Sequence, residues 1–162
     1  MIGSRVVVAI FALWIAAGNG TAGAAGSAAS AGASRYLPDP RLTPGAVIST
    51  HTADICVLGY DRAHRVWHDK PSTLAKYGIP LSQGDLYQDD ERVPLCAVGD
   101  NAAPRNHWPQ PWSEAERKDQ LELLVCRRIC DLHTMSLEAG QRLFLGDWRT
   151  AYWQLLINPS SQ

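Results

Sequence analysis

Residues 87–111 carry the tightest local constraints in the chain. Tyr87-Gln88 leads into an acidic triplet, Asp89-Asp90-Glu91, and Arg92 joins this to the short apolar segment Val93-Pro94-Leu95-Cys96. Proline cannot donate to a strand ladder, so Pro94 keeps the segment from being an ordinary central strand. Gly99-Asp100-Asn101 supplies loop residues, and Asn106-His107-Trp108-Pro109-Gln110-Pro111 forms an aromatic-proline knot ahead of a helix start. Carboxylates bracketed by loop beside a short strand suit a hard metal ion or phosphate chemistry, because such ions take oxygen ligands. The same residues also read as a solvated acidic turn.

The pattern downstream is helical. Ser113-Glu114-Ala115-Glu116 has the form of a capping box, with Ser113 at the N-cap and Glu116 at the third helical position. Glu114 and Asp119 are acidic residues where the helix dipole favours them. The spacing predicts a helix over 113–130, with Leu121, Leu124, Val125 and Arg128 along one stripe and Ile129 beside it. Asp119, Glu122, Cys126 and Cys130 follow a second stripe. Cys126 and Cys130, one helical turn apart, project from one face. A second helix is predicted over 136–156, burying Leu137, Phe144, Trp148, Ala151, Tyr152 and Leu155, and residues 159–162 form a frayed tail.

The region before the acidic triplet is less regular. Pro38, Pro40 and Pro44 rule out regular structure at its start. Residues 53–59 read as a short strand or as a loop anchored by Cys56. Residues 72–77, with Pro71 ahead and Gly78 behind, read as a short helix. His51, His64 and His68 read as surface or packing histidines.

Residues 1–24 have the form of a secretory signal: Arg5 is the only charge before an apolar run over 6–17, and Ala22-Gly23-Ala24 is a small-x-small cleavage site. That run is short beside the roughly 20 residues a membrane helix needs, so no membrane-spanning segment is expected after cleavage. Residues 25–35, mainly Ala, Gly and Ser, carry too little bulky apolar surface to order and form a flexible linker. Residues 36–158 suit one domain, and the chain is expected to be secreted or periplasmic. Of 15 Lys and Arg, Arg5 and Arg35 precede this domain, leaving 13 against 16 Asp and Glu. A protein that grips nucleic acid non-specifically presents excess positive charge to the phosphates. No basic run of that kind exists here, and a patch of Arg105, Arg127 and Arg128 is the most the sequence offers. The 4 cysteines, Cys56, Cys96, Cys126 and Cys130, make an even number in an exported chain and favour disulfides. Three pairings are open, and a four-cysteine zinc site is a poorer reading because no Cys-x-x-Cys knuckle is present.

The wording of the central stretch resembles that of small secreted bacterial proteins of the His-Asn-His (HNH, ββα-metal) nuclease superfamily. Their core runs roughly Tyr-Glu-x-Asp-His-x-x-Pro-Leu-Glu-Leu-Gly-Gly-x-Asn, then Asn-Leu-Trp-Pro-Gln-Pro, then a helix bearing Lys-Asp-x-Leu-Glu. Tyr87, Asp90, Pro94, Leu95, Gly99, Asn101, Asn106, Trp108, Pro109, Gln110 and Pro111 match, as do Lys118, Asp119, Leu121 and Glu122. The likeness spans about 42–152. It implies an α+β fold whose HNH-like ββα-metal core is a short two-stranded hairpin plus a helix, with additional helices and disulfide staples. It also implies pairing of Cys56 with Cys130, which leaves Cys96 and Cys126 to bridge each other where the family's metal sits.

In that superfamily a strand histidine is general base to a water, while an aspartate and a helix histidine hold a divalent metal that stabilises charge on the scissile phosphate. Carried over by position, Asp90 is the metal-binding aspartate, and Asn101 and Asn106 are the loop asparagines that orient the base. The base position is Glu91, and the helix-ligand position is Cys126. A glutamate is ordinarily about two pKa units less basic than imidazole. Thiolate suits zinc or copper(I) rather than magnesium or manganese, and an oxidised cysteine ligates nothing. His107, where relatives carry Leu, is either a migrated base or a loop histidine packed on Trp108. The resemblance therefore implies an exported HNH-like domain that has lost hydrolysis and survives as a binding or structural module, with no cofactor expected. The alternative is a divalent-metal-dependent endonuclease with a site rearranged around Asp90, Glu91 and His107, its partner being nucleic acid.

Overall fold

The structure, a computed structural model, describes residues 36–49, 51–66 and 68–159. The expected signal over 1–24, the linker over 25–35 and the last three tail residues lie outside the described residues. The elements in order are α1 (Tyr60–His64), α2 (Lys70–Lys76), β1 (Tyr87–Glu91), β2 (His107–Pro111), α3 (Trp112–Cys130), α4 (Leu137–Leu145), α5 (Trp148–Tyr152) and a wider π turn, Trp153–Ile157. The fold is α+β. β1 and β2 form an antiparallel pair in the register Gln88↔Gln110, Asp89↔Pro109, Asp90↔Trp108 and Glu91↔His107. Among the described residues no helix is long and apolar enough to cross a membrane.

The acidic triplet lies inside β1, paired with β2, and not in a turn. The apolar residues after it form a buried knuckle, Val93 to Val98, with a 3-10 turn over Leu95–Ala97. A Cβ on Gly99 would stand 1.8 Å from the Val93 carbonyl oxygen, so only glycine lets the chain fold back over this knuckle. The fold-back carries Asn101 to the hairpin, where its side-chain amide donates to Glu91.

β2 runs without a loop into α3, whose N-cap is Pro111. The expected capping box is not formed, because Ser113 is already within the helix. Leu121, Val125 and Ile129 are buried as the stripe predicts, in one core with Val93, Leu95, Val98, Leu137, Phe144 and Trp148. Each such side chain contributes roughly 1.5–3 kcal/mol on burial. The helix expected over 136–156 is broken. Gly146 and Asp147 part α4 from α5, and Asp147 caps α5 by accepting from the Arg149 and Thr150 amides at 3.0 and 3.1 Å. Ser136 caps α4, accepting from the Ala139 amide at 3.2 Å.

α2 begins at Lys70, two residues earlier than the sequence suggests, with Asp69 at its N-cap. Residues 53–59 are not a strand; a 3-10 turn over Thr52–Asp54 leads into a loop that Cys56 anchors. Cys56 pairs with Cys130 and Cys96 with Cys126, at Cα separations of 5.2 and 5.6 Å. Both bridges fasten outlying chain to the C-terminal half of α3.

Candidate functional site

Side chains alternate across a strand, so β1 presents Asp90 to α3 and Asp89 and Glu91 to the opposite side. On the α3 side the Lys118 ammonium lies 2.7 Å from Asp90 Oδ2 and also contacts Glu122, one helical turn on. The Lys118 side chain is 1% exposed and that of Asp90 9%. Burial pulls the lysine pKa down, but attraction to Asp90 and Glu122 outweighs it and holds the group above the ordinary lysine range. Burial pushes the Glu122 carboxyl up; Lys118 opposes this and Asp90 reinforces it. A buried cation therefore already neutralises the Asp90 carboxylate.

On the other side, His107 is 3% exposed and its Nε2 donates to the Asn101 carbonyl at 3.0 Å. A carbonyl only accepts, so that nitrogen carries a proton. The other ring nitrogen, Nδ1, faces Asp89 Oδ1 at 3.5 Å. The His68 ring stacks on the His107 ring with centroids 3.4 Å apart, and His68 Nε2 meets the same Asn101 carbonyl. Among the described residues neither Asp89 oxygen has a hydrogen-bond donor. Lys76 approaches from α2, donating to the carbonyls of Pro104 and His107 at 2.7 Å each. Burial lowers its pKa, with Asp89 acting against that. These groups line a cleft of about 560 Å³ that also reaches Glu91, Asp119 and Glu122.

The sequence-based candidates divide into two sets. Glu91 and His107 meet here as cross-strand partners, and Asp90 also lines the cleft. Asn106 is fully buried elsewhere: its amide donates to the Val93 carbonyl at 2.9 Å, and its oxygen accepts from the Val93 and Ala46 amides at 3.0 and 3.3 Å. It clamps the knuckle, and Asn101 is the loop asparagine that enters the cleft. Cys126 is in a disulfide and lines a separate groove with Cys56, Cys96 and Cys130. It sits two helical turns beyond Lys118, about 12 Å along the axis, so the Cys96–Cys126 bridge does not stand beside Asp90; Lys118 does. His107 is a buried strand residue rather than a loop histidine on Trp108, and His68 belongs to the cleft rather than the surface. Strand alternation is the signal that groups Asp89 with Glu91, while His68 gives no local sign of its position.

No family model matches the chain, and no curated protein or solved structure matches it.

Proposed function

We propose that this is an exported domain on the HNH ββα scaffold that has lost phosphodiester hydrolysis and acts as a binding or structural module. The observation that carries the reading is the buried Lys118 ammonium against Asp90. A divalent ion at Asp90 would have to displace a lysine held by two carboxylates. Cys126, which the resemblance puts at the helix-ligand position, lies two helical turns beyond Lys118 with its sulfur in a disulfide, so it offers no ligand beside Asp90. The family's metal pair thus does not fit the residues present. Glu91, at the base position, is tied to the Asn101 amide. The two disulfides and the signal-like start of the chain support export.

The test is plasmid nicking by the oxidised protein with magnesium, manganese, nickel or zinc, beside Glu91→Ala. The expected result is no cutting above the metal-only controls. Metal-dependent cutting that Glu91→Ala abolishes would overturn the reading. It would favour instead a working nuclease with a rearranged site, which the cross-strand pairing of Glu91 with His107 supports. His107→Ala then becomes the second diagnostic variant.

A further inference from the structure

We propose that His68, Asp89 and His107 form a three-ligand site for one divalent transition-metal ion, zinc by preference, in the cleft beside the hairpin. One ligand atom from each residue lies within 4.8 Å of those of the other two. The site uses neither Asp90 nor Cys126, and it holds whether or not the domain hydrolyses anything.

The chemistry of the gap at His107 is the starting point. With its Nε2 proton committed to the Asn101 carbonyl, His107 turns Nδ1 toward Asp89 Oδ1, 3.5 Å away, and a cation between the two atoms would satisfy both. That separation exceeds an ordinary N–H···O hydrogen bond of about 2.7–3.2 Å. It matches the edge of a tetrahedron whose ligands stand 2.0–2.1 Å from zinc, about 3.4 Å. His107 is 3% exposed and its Nδ1 has no hydrogen-bond partner among the described residues, as is true of both Asp89 oxygens. Groups buried this deeply are normally satisfied, and one cation between them satisfies all three atoms.

Two imidazoles and a carboxylate form the donor set of borderline divalent ions, zinc above all, rather than of magnesium or calcium. The Asn101 carbonyl bonded to His107 Nε2 is the outer partner that orients a metal-ligating histidine and fixes its tautomer. His107 and Asp89 sit on the two rigid strands. His68 comes from the segment before α2. Arg65 and Lys70 line the same cleft, from which a water or small anion would complete the coordination.

The experiment is a zinc titration of the oxidised, metal-stripped chain against a chromophoric competitor, with cobalt(II) substitution as a second readout. One zinc per chain is expected, together with the intense visible absorption of tetrahedral cobalt. Asp89→Asn and His68→Gln should each weaken zinc binding at least about tenfold, whereas His51→Ala, at an exposed histidine outside the cleft, should leave it unchanged. Both informative variants spare the buried core, and thermal melts without metal check that they fold. The proposal is overturned if the folded chain takes up no zinc at millimolar concentration, which would leave a proton as the only cation between Asp89 and His107. It is equally overturned if zinc binds as tightly to Asp89→Asn and His68→Gln as to the unaltered chain.

Discussion

Replacing Lys118 by Met removes the ammonium at Asp90 while keeping a side chain of similar length and apolar body. Lys118 is 1% exposed, Asp90 9% and Glu122 21%, so the replacement strands the nearly dry Asp90 carboxylate, while Glu122, already pushed up by burial and no longer held down by Lys118, takes a proton. Removing one partner of a buried ion pair typically costs about 3–5 kcal/mol, because the remaining charge is left unsolvated. Most of that cost falls on Asp90; Glu122 has some access to water, and loss of the ammonium contact over the Phe144 ring, 5.7 Å from its centroid, adds a smaller amount. For a domain of this size the same loss lowers Tm by about 10–20 °C. Urea unfolding at pH 7 with the disulfides intact measures it. The decisive companion is Asp90→Asn combined with Lys118→Met, which removes the stranded charge and should recover about half the loss or more. A loss below about 1 kcal/mol for Lys118→Met, against the 3–5 expected of a buried pair, would refute the reasoning. So would a double variant no more stable than the single one.

Asn106→Ala should cost about 2–4 kcal/mol in urea unfolding, because it leaves the buried Val93 amide and carbonyl without their side-chain partners. A nearly neutral result would place Asn106 outside the structural framework. The bridges span sequence separations of 74 and 30 residues, so in the chain-entropy picture losing Cys56–Cys130 costs about 4.5 kcal/mol and losing Cys96–Cys126 about 3.6. Paired serine substitutions compared by thermal unfolding give that order, and the reverse order would contradict it. Glu122, pushed up to about 7 by burial, holds its proton in the folded state after the unfolded chain has released it. Its contribution to stability is therefore favourable near pH 5 and is lost as pH rises toward 7. Glu122→Gln should flatten that part of the stability–pH profile, and an unchanged profile would exclude Glu122 as its source.

Much of the fold is legible because local chemistry and tertiary packing agree. The stripe Leu121-Val125-Ile129 is buried as its spacing requires, and Gly99 marks the turn where no side chain fits. The break between α4 and α5 is also written locally, as a glycine followed by a capping aspartate, but the apolar periodicity on either side hides it. Ser113 illustrates the opposite case. It carries a helix-start signal, yet a strand running directly into α3 puts the N-cap two residues earlier, at Pro111. The site is less legible than the fold. Strand alternation separates Asp89 from Asp90, but the side chains that meet each face of the hairpin come from distant elements. Lys118 meets Asp90 because α3 packs across the hairpin, and His68 reaches His107 because the segment before α2 passes over the other face. Neither approach leaves a mark in residue spacing. Asn101 and Asn106 are alike in composition and neighbourhood, and only the fold-back at Gly99 assigns one to the cleft and the other to the core.

Anomalous diffraction from crystals of the oxidised domain soaked in manganese tests most directly whether a lysine has taken the cation's place at Asp90. The expected result is no anomalous peak within bonding distance of Asp90, with the Lys118 ammonium still against its carboxylate. A manganese ion bound to Asp90, with Lys118 swung away, would contradict the loss of the metal-dependent chemistry on which the proposed function rests.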